Sequence, residues 1–239
     1  IEENKKNMEA QLKGVSKAIS GIAKNLEEDI KKQIEYENEK KQITDMLKLK
    51  SRAGQGIAIK KQGRFLVEVY LEKNQNTVDT QTIEKIVSEV LGERIVVNQE
   101  ACIGSRINLI SDDKYIMALG IANVQKAGNE VSGDSIINTR LKDGKYLVAI
   151  SDGMGAGEKA KESSKQALKM LENLLMSGFD KETSLELINT SLINKNDEIF
   201  ATLDIAIVDL YQGTVEMIKS GACPTYFKNK KKVQVIKSK

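Results

Sequence analysis

Histidine is absent from all 239 residues. That removes every mechanism built on an imidazole base, the Ser-His-Asp and Cys-His arrangements among them. It also removes His-ligated zinc and iron. Tryptophan is absent too, and aromatic residues make up 4% of the chain, which argues against stacking platforms for single-stranded nucleic acid. Charge of either sign nearly cancels, 37 Lys and Arg against 34 Asp and Glu for a net +3, so no long-range field draws the chain to nucleic acid. Cysteine is scarce: Cys102 and Cys223 form no CxxC pair and suit a reducing cytosol as small apolar residues. Arg106 follows Cys102 too closely for the Cys-x5-Arg loop of thiol phosphatases. No apolar run is long enough to span a bilayer. The chain starts at Ile1 rather than Met, which predicts that it is cut from a longer parent.

What is present fits a cored protein, with 40% hydrophobic and 30% charged residues. Residues 1–48 read as one long helix. Met8, Leu12, Val15, Ile19, Ile22 and Leu26 follow an a/d spacing, with Lys and Glu on the other faces. The pattern predicts a signalling or dimerising coiled coil, or an amphipathic helix packed on its own domain. Residues 49–111 read as a small α/β regulatory module. Its strands are Gly56 to Lys61 and Phe65 to Leu71, followed by a helix capped at Asp79 or Thr80 and stopped at Gly92, then strands at Ile95 to Val97 and Ile107 to Ile110.

Residues 112–239 carry the chemistry. Strands are predicted at Tyr115 to Ala122, Ile136 to Leu141 and Tyr146 to Ile150. Two helices follow, from about Gly157 to Met176 and from a cap at Asp180. Strands at Thr202 to Leu210, Thr214 to Ser220 and Thr225 to Lys228 close the chain. This order predicts an α+β fold, an antiparallel sheet with helices on one face.

Asp143-Gly144 reads as a two-residue hairpin turn. Pairing outward sets Lys142 opposite Lys145, Ser135 opposite Asp152 and Asp134 opposite Gly153. The segments Ser132-Gly133-Asp134-Ser135 and Ser151-Asp152-Gly153 thus meet at one sheet edge. In that register Asp134 and Asp152 point to opposite faces, and the adjoining glycines must re-aim one of them. Two carboxylates beside exposed backbone suit a hard cation such as Mg²⁺ or Mn²⁺. One Asp can bridge two ions, with the Gly153 carbonyl as an extra ligand. Water held by such ions is a nucleophile that needs no histidine. Asp-Gly pairs are also ordinary turn formers, and Asp204 and Asp209, in or beside an apolar strand, read as structural.

Three stretches carry a resemblance: Val131-Ser132-Gly133-Asp134-Ser135, then Ile150-Ser151-Asp152-Gly153-Met154-Gly155-Ala156-Gly157-Glu158-Lys159-Ala160, then Ala201-Thr202-Leu203-Asp204. They resemble the type 2C, metal-dependent PPM-type serine/threonine phosphatases of the bacterial sporulation kind. Gly221-Ala222-Cys223-Pro224 extends the likeness, which covers most of residues 50–239. The resemblance implies a PPM-type antiparallel sheet core with packed switch helices at about 157–194. It implies Asp152 as the metal-bridging catalytic aspartate, Gly153 as a carbonyl ligand and Asp134 as a second catalytic metal ligand, direct or through water. The cofactor would be Mn²⁺ or Mg²⁺ in a two-metal site. The substrate would be the phosphoserine of a small anti-anti-sigma factor, whose dephosphorylation activates a sporulation sigma factor. The N-terminal helix would join a membrane segment to the rest, placing the parent at the cytoplasmic face of the cell membrane.

The family has a further Asp-Gly and another Asp beyond this chain's last strand, both metal ligands. Nothing after Ile236 is acidic here. The resemblance therefore implies a C-terminally incomplete catalytic domain whose metal site is short of ligands, and a chain that is weakly active or inactive alone. The alternative is a non-catalytic signalling or dimerisation module, a pseudo-phosphatase. A nucleotide loop is excluded by spacing. Glu158 stands where Gly-x-Gly-x-x-Gly needs its third glycine, and no Gly-Lys-Ser/Thr follows.

Overall fold

The computed structural model describes residues 9, 12–16, 19–21, 23, 27, 36–51, 56–71, 79–125, 131–155, 157–193 and 201–238. Of the heptad-spaced residues, Leu12, Val15 and Ile19 are helical and exposed at 61%, 49% and 62%. Met8, Ile22, Leu26, Ile30 and Ile34 lie outside the described residues. A Cβ on Gly14 would touch Leu187 at 3.6 Å, and one on Gly21 would lie 3.8 Å from Asp180. This stretch therefore runs beside the second of the two later helices.

The first sheet is antiparallel, in the order β1-β2-β4-β3, from β1 (Gly56–Gln62), β2 (Arg64–Tyr70), β3 (Ile95–Val97) and β4 (Arg106–Ser111). Helices α1 (Glu37–Ser51) and α2 (Thr80–Leu91) pack on it. Asp79 caps α2 by accepting from Gln81 N, and Gly92 ends it at φ 66°, a left-handed conformation that glycine adopts without a steric cost. Ile83, Ile86 and Val87 bury one stripe of α2 against Val67, Val69 and Leu109. Ile43 and Leu47 of α1 are fully buried in the same cluster.

The second sheet, order β5-β6-β7-β8, is also antiparallel. Its strands are β5 (Asp134–Arg140), β6 (Tyr146–Asp152), β7 (Leu203–Asp209) and β8 (Thr214–Ser220). Helices α3 (Glu158–Met176) and α4 (Lys181–Ile193) connect β6 to β7. Ala167, Leu168 and Leu171 of α3 and Ile188 of α4 seal one sheet face over Leu147, Ala149 and Ile205. The chain is thus α+β, with antiparallel sheets and helices packed on one face. Among the described residues, no helix is long and apolar enough to cross a membrane.

Three expectations are corrected. Tyr115 to Ala122 forms no strand. The N–H groups of Lys114 and Tyr115 both donate to Leu210 O, but no described strand pairs with the stretch beyond. Ile116 is 99% exposed, and alternation without a partner does not make a ladder. A strand not anticipated, β10 (Lys232–Ile236), pairs with β9 (Thr225–Asn229). Its turn, Asn229-Lys230-Lys231-Lys232, holds no glycine or proline to announce it, and Lys230 takes φ 51° instead.

The third correction concerns the β5–β6 hairpin. Leu141 N donates to Lys145 O at 2.8 Å and Gly144 N to Leu141 O at 2.9 Å. The loop therefore has three residues, Lys142, Asp143 and Gly144. A two-residue type I′ turn needs positive φ at both central positions, and here only Gly144 adopts it, at 81°. The register moves by one residue throughout, so that Arg140 faces Tyr146, Ser135 faces Ser151 and Asp134 faces Asp152.

The two sheets meet at this hairpin tip. Arg64, 3% exposed, donates from Nη1 to Asp113 at 3.0 Å and from Nη2 to Asp209 at 2.6 Å. Arg140 reaches the other Asp113 oxygen at 3.0 Å. Asn98 Nδ2 donates to Lys142 O, and Tyr211 OH to Glu93. Burial opposes ionisation of Asp209, but the N–H groups of Gln212 and Tyr211 and the Arg64 guanidinium outweigh it, and its pKa is lowered. A depressed carboxylate contributes stability above its unfolded value, near 3.9, and loses it as pH falls through the folded value.

Truncating Arg64→Ala removes the cation from the buried Asp209 carboxylate and leaves Asp113 to Arg140 alone, and is expected to cost about 3–5 kcal/mol at neutral pH. Urea unfolding of wild type and variant measures this cost. The gap between them should narrow as acid protonates Asp209.

Candidate metal centre

The β5–β6 hairpin carries its chemistry at the end remote from the turn. Gly153 N donates to Gly133 O at 3.4 Å, and Thr202 N donates to Asp152 O at 2.9 Å. The backbone of Asp152 is therefore turned toward β7, while Gly133 faces Gly153. Asp134 and Asp152 consequently form a non-hydrogen-bonded pair, the closer kind, with Cα atoms ~4.5 Å apart and side chains on one face. Neither residue has to be re-aimed by a glycine. One sequence register had put these carboxylates on opposite faces; the three-residue loop brings them together.

Their electrostatics follow from that proximity. Partial burial, then the neighbouring Asp134 charge, then a hydrogen bond shared with it raise the pKa of Asp152 above its ordinary value. The Asp134 charge held this close opposes ionisation of Asp152. Ser132 Oγ donates to Asp134 Oδ2 at 3.3 Å and accepts from Asp134 N at the same distance.

The glycines of the motif have separate reasons. A Cβ on Gly153 would overlap the carbonyl oxygen of Ala160 in α3, and one on Gly133 would sit 3.1 Å from the Ala160 Cβ. Close approach of α3 to both strand ends requires that they carry no side chain. The same point over Gly133 lies 3.4 Å from Gly153 O and 4.0 Å from Asp152 Oδ1, so the Gly153 carbonyl and the Asp152 carboxylate converge there. Gly155 and Gly157 lead into α3 at φ 99° and 76°.

These oxygens fit a hard divalent cation. Mg²⁺ and Mn²⁺ accept one or two carboxylates plus a carbonyl and keep several waters, and an ion held by Asp134 and Asp152 would offset the part of the Asp152 pKa rise that comes from the Asp134 charge. Among the described residues no group of three acidic, Cys or His side chains could hold a metal. Asp204 lies two residues along the same face, opposite Ile150. Its Oδ2 is held by Lys219 at 2.5 Å and by the Thr225 hydroxyl at 2.9 Å. That oxygen is thus engaged by Lys219 and Thr225, while Asp204 Oδ1 is buried without a hydrogen-bond partner. Cys223 is exposed, and Cys102 donates to Asn98 O and accepts from Asn108 N in the other sheet.

Known proteins resemble this chain in sequence and in fold. Residues 142–239 match the family model described as Stage II sporulation protein E (SpoIIE). Stage II sporulation protein E of Priestia megaterium is 32% identical over 98% of this chain and 41% of its own length. That of Bacillus subtilis (strain 168) is 28% identical over the whole chain and 29% of its own length. The chain thus spans less than half the length of these curated relatives. A solved structure of the PP2C phosphatase domain and a fragment of the regulatory domain of the cell fate determinant SpoIIE from Bacillus subtilis superposes with a TM-score of 0.64. It shares 28% identity, covering all of this chain and 71% of that one. In sequence and in fold, the chain is similar to stage II sporulation protein E, of which a solved part is a PP2C phosphatase domain.

Proposed function

We propose that this chain carries the regulatory module and the first part of the catalytic domain of a metal-dependent, type 2C protein-serine/threonine phosphatase. The observation that carries the reading is the Asp134–Asp152 pair, two carboxylates in direct cross-strand register beside the Gly153 carbonyl. Asp152, Asp134 and Gly153 would hold Mn²⁺ or Mg²⁺ in a two-metal site. A bound ion there supplies Lewis acidity toward water and toward the phosphate ester. The chain's own residues hold and orient. Asp152 and Asp134 present paired oxygens, the backbone of Asp152 is fixed to Thr202 on β7, and α3 closes one side of the site at Ala160. A histidine-free chain offers no imidazole base, which suits a nucleophile activated by an ion.

The substrate in this reading is a phosphoserine on a small anti-anti-sigma factor, and its dephosphorylation activates a sporulation sigma factor. The resemblance in the Ser-Asp-Gly-Met-Gly loop supports it, together with relatives that are sporulation proteins. The division proposed is a linker helix at 1–48 that self-associates, a regulatory module at 49–111 and the phosphatase part at 112–239, with the parent at the cytoplasmic face of the cell membrane. With Asp134 paired to Asp152 and no group of three metal-holding side chains among the described residues, the 239-residue chain alone is weakly active or inactive. That shortage also favours the second reading, a non-catalytic signalling module.

In the full-length protein, Asp152→Ala should abolish Mn²⁺-dependent phosphate release from a phosphoserine protein. Its thermal unfolding should persist, because the change removes a repulsion instead of a support. Turnover at the wild-type rate in that variant would refute the assignment. Metal and proton compete for the same oxygens, so Mn²⁺ affinity should weaken as pH falls through the raised Asp152 pKa. Isothermal titrations at stepped pH read this, and a flat profile counts against Asp152 as a ligand.

A further inference from the structure

The first two turns of α3 grip the end of β5 through its backbone, and two side chains outside the metal pair make the grip. Sheet order leaves β5 at an edge. Because Gly133 turns its carbonyl toward β6, Asp134 turns its own carbonyl outward, where an edge strand has no partner. Lys161 Nζ donates to that Asp134 oxygen. Among the described residues Lys161 forms no ion pair, and its half-buried ammonium reaches past the helix surface to a neutral main-chain acceptor.

Ser164 is fully buried. Its Oγ lies 2.7 Å from Ser135 Oγ, 2.7 Å from Gly133 O and 3.0 Å from Lys161 O. A hydroxyl carries one proton. The arrangement that satisfies the most groups has Ser135 donating to Ser164 and Ser164 donating to Gly133 O. The residues on both sides of Asp134 are thus tied to one helical serine, and Asp134 itself to the lysine one turn earlier. Ala160, a turn before Ser164, fills the space against Gly133 and Gly153.

We propose that Lys161 and Ser164 are positioning residues for the metal centre. They fix the backbone of Gly133-Asp134-Ser135 against β6 and so set the spacing of the Asp134 and Asp152 carboxylates. The inference rests on the metal-site reading of that pair. Groups that orient metal ligands without touching the ion typically cost ~10–100-fold in metal affinity when removed, and loss of either anchor is expected to fall in that range.

The test is Mn²⁺ binding to the full-length protein, followed by electron paramagnetic resonance of the free ion. The forms compared are wild type, Lys161→Met, Lys161→Arg, Ser164→Ala and Asp152→Asn. Lys161→Met keeps the aliphatic stem and removes the donors; it should weaken binding at least tenfold while the melting temperature of the metal-free chain stays near wild type. Lys161→Arg should bind as wild type does. Ser164→Ala should weaken binding comparably; if circular dichroism shows it unfolded, the lysine pair decides alone. Wild-type affinity in Lys161→Met overturns the inference, as does equal weakening in Lys161→Met and Lys161→Arg. Binding that survives Asp152→Asn, or a wild type that takes up no Mn²⁺, overturns the underlying metal assignment instead.

Discussion

Gly144 holds a left-handed conformation at the tip of one hairpin, and the register of the Asp134–Asp152 pair depends on it. Its φ of 81° closes a three-residue loop, and loop length dictates the pairing of every residue down to the open end. Shifting that pairing by one residue would turn Asp134 and Asp152 to opposite faces and leave no carboxylate pair. The glycine is also needed for space. A Cβ there would press to 2.5 Å from Arg64 Nη1 and 2.7 Å from Ile110 Cδ1. The turn that sets the register of the second sheet is thus packed directly on the first.

Arg64 makes that packing specific. It opens β2, yet its bonds go to Asp113 in the connecting segment and to Asp209 at the end of β7. Asp113 also holds Arg140, the last residue of β5. One buried guanidinium therefore ties the first sheet to both ends of the β5–β6–β7 frame next to the turn. At the opposite end α3 closes on the same strands at Ala160, Lys161 and Ser164. The hairpin is fixed at its tip by one module and at its mouth by a helix, and the acid pair sits where the second grip is applied.

Much of the fold was legible in the chain. Helices α2, α3 and α4 announce themselves by apolar spacing and by Asp79, Gly92, Gly178 and Asp180 at their ends. Most strands announce themselves by β-branched runs between turn residues. The acid pair was legible as a meeting of two segments but not as a register, because an Asp-Gly tip closes either a two- or a three-residue loop. Only the backbone of Asp143 decides between them. Tyr115 to Ala122 has the alternation of a strand without the partner, and partners are set by the whole fold. Arg64 went unnoticed because a lone arginine opening an apolar strand looks like a solvated edge. Its signal was the complementary Asp209 ending another apolar strand. Ser164 stands in the buried stripe of α3, four residues after Ala160 and four before Leu168; a polar residue in such a stripe is the trace of a helix that bonds to a strand end.

Brought into register by the hairpin, Asp134 and Asp152 would together hold the metal ion. Paramagnetic broadening by substoichiometric Mn²⁺ in an amide correlation spectrum tests it without any assay of activity. Broadening should centre on residues 132–135 and 151–153 and leave Asp113 and Asp209 sharp. Broadening centred on those ion-paired carboxylates, or none near the hairpin mouth, would contradict it.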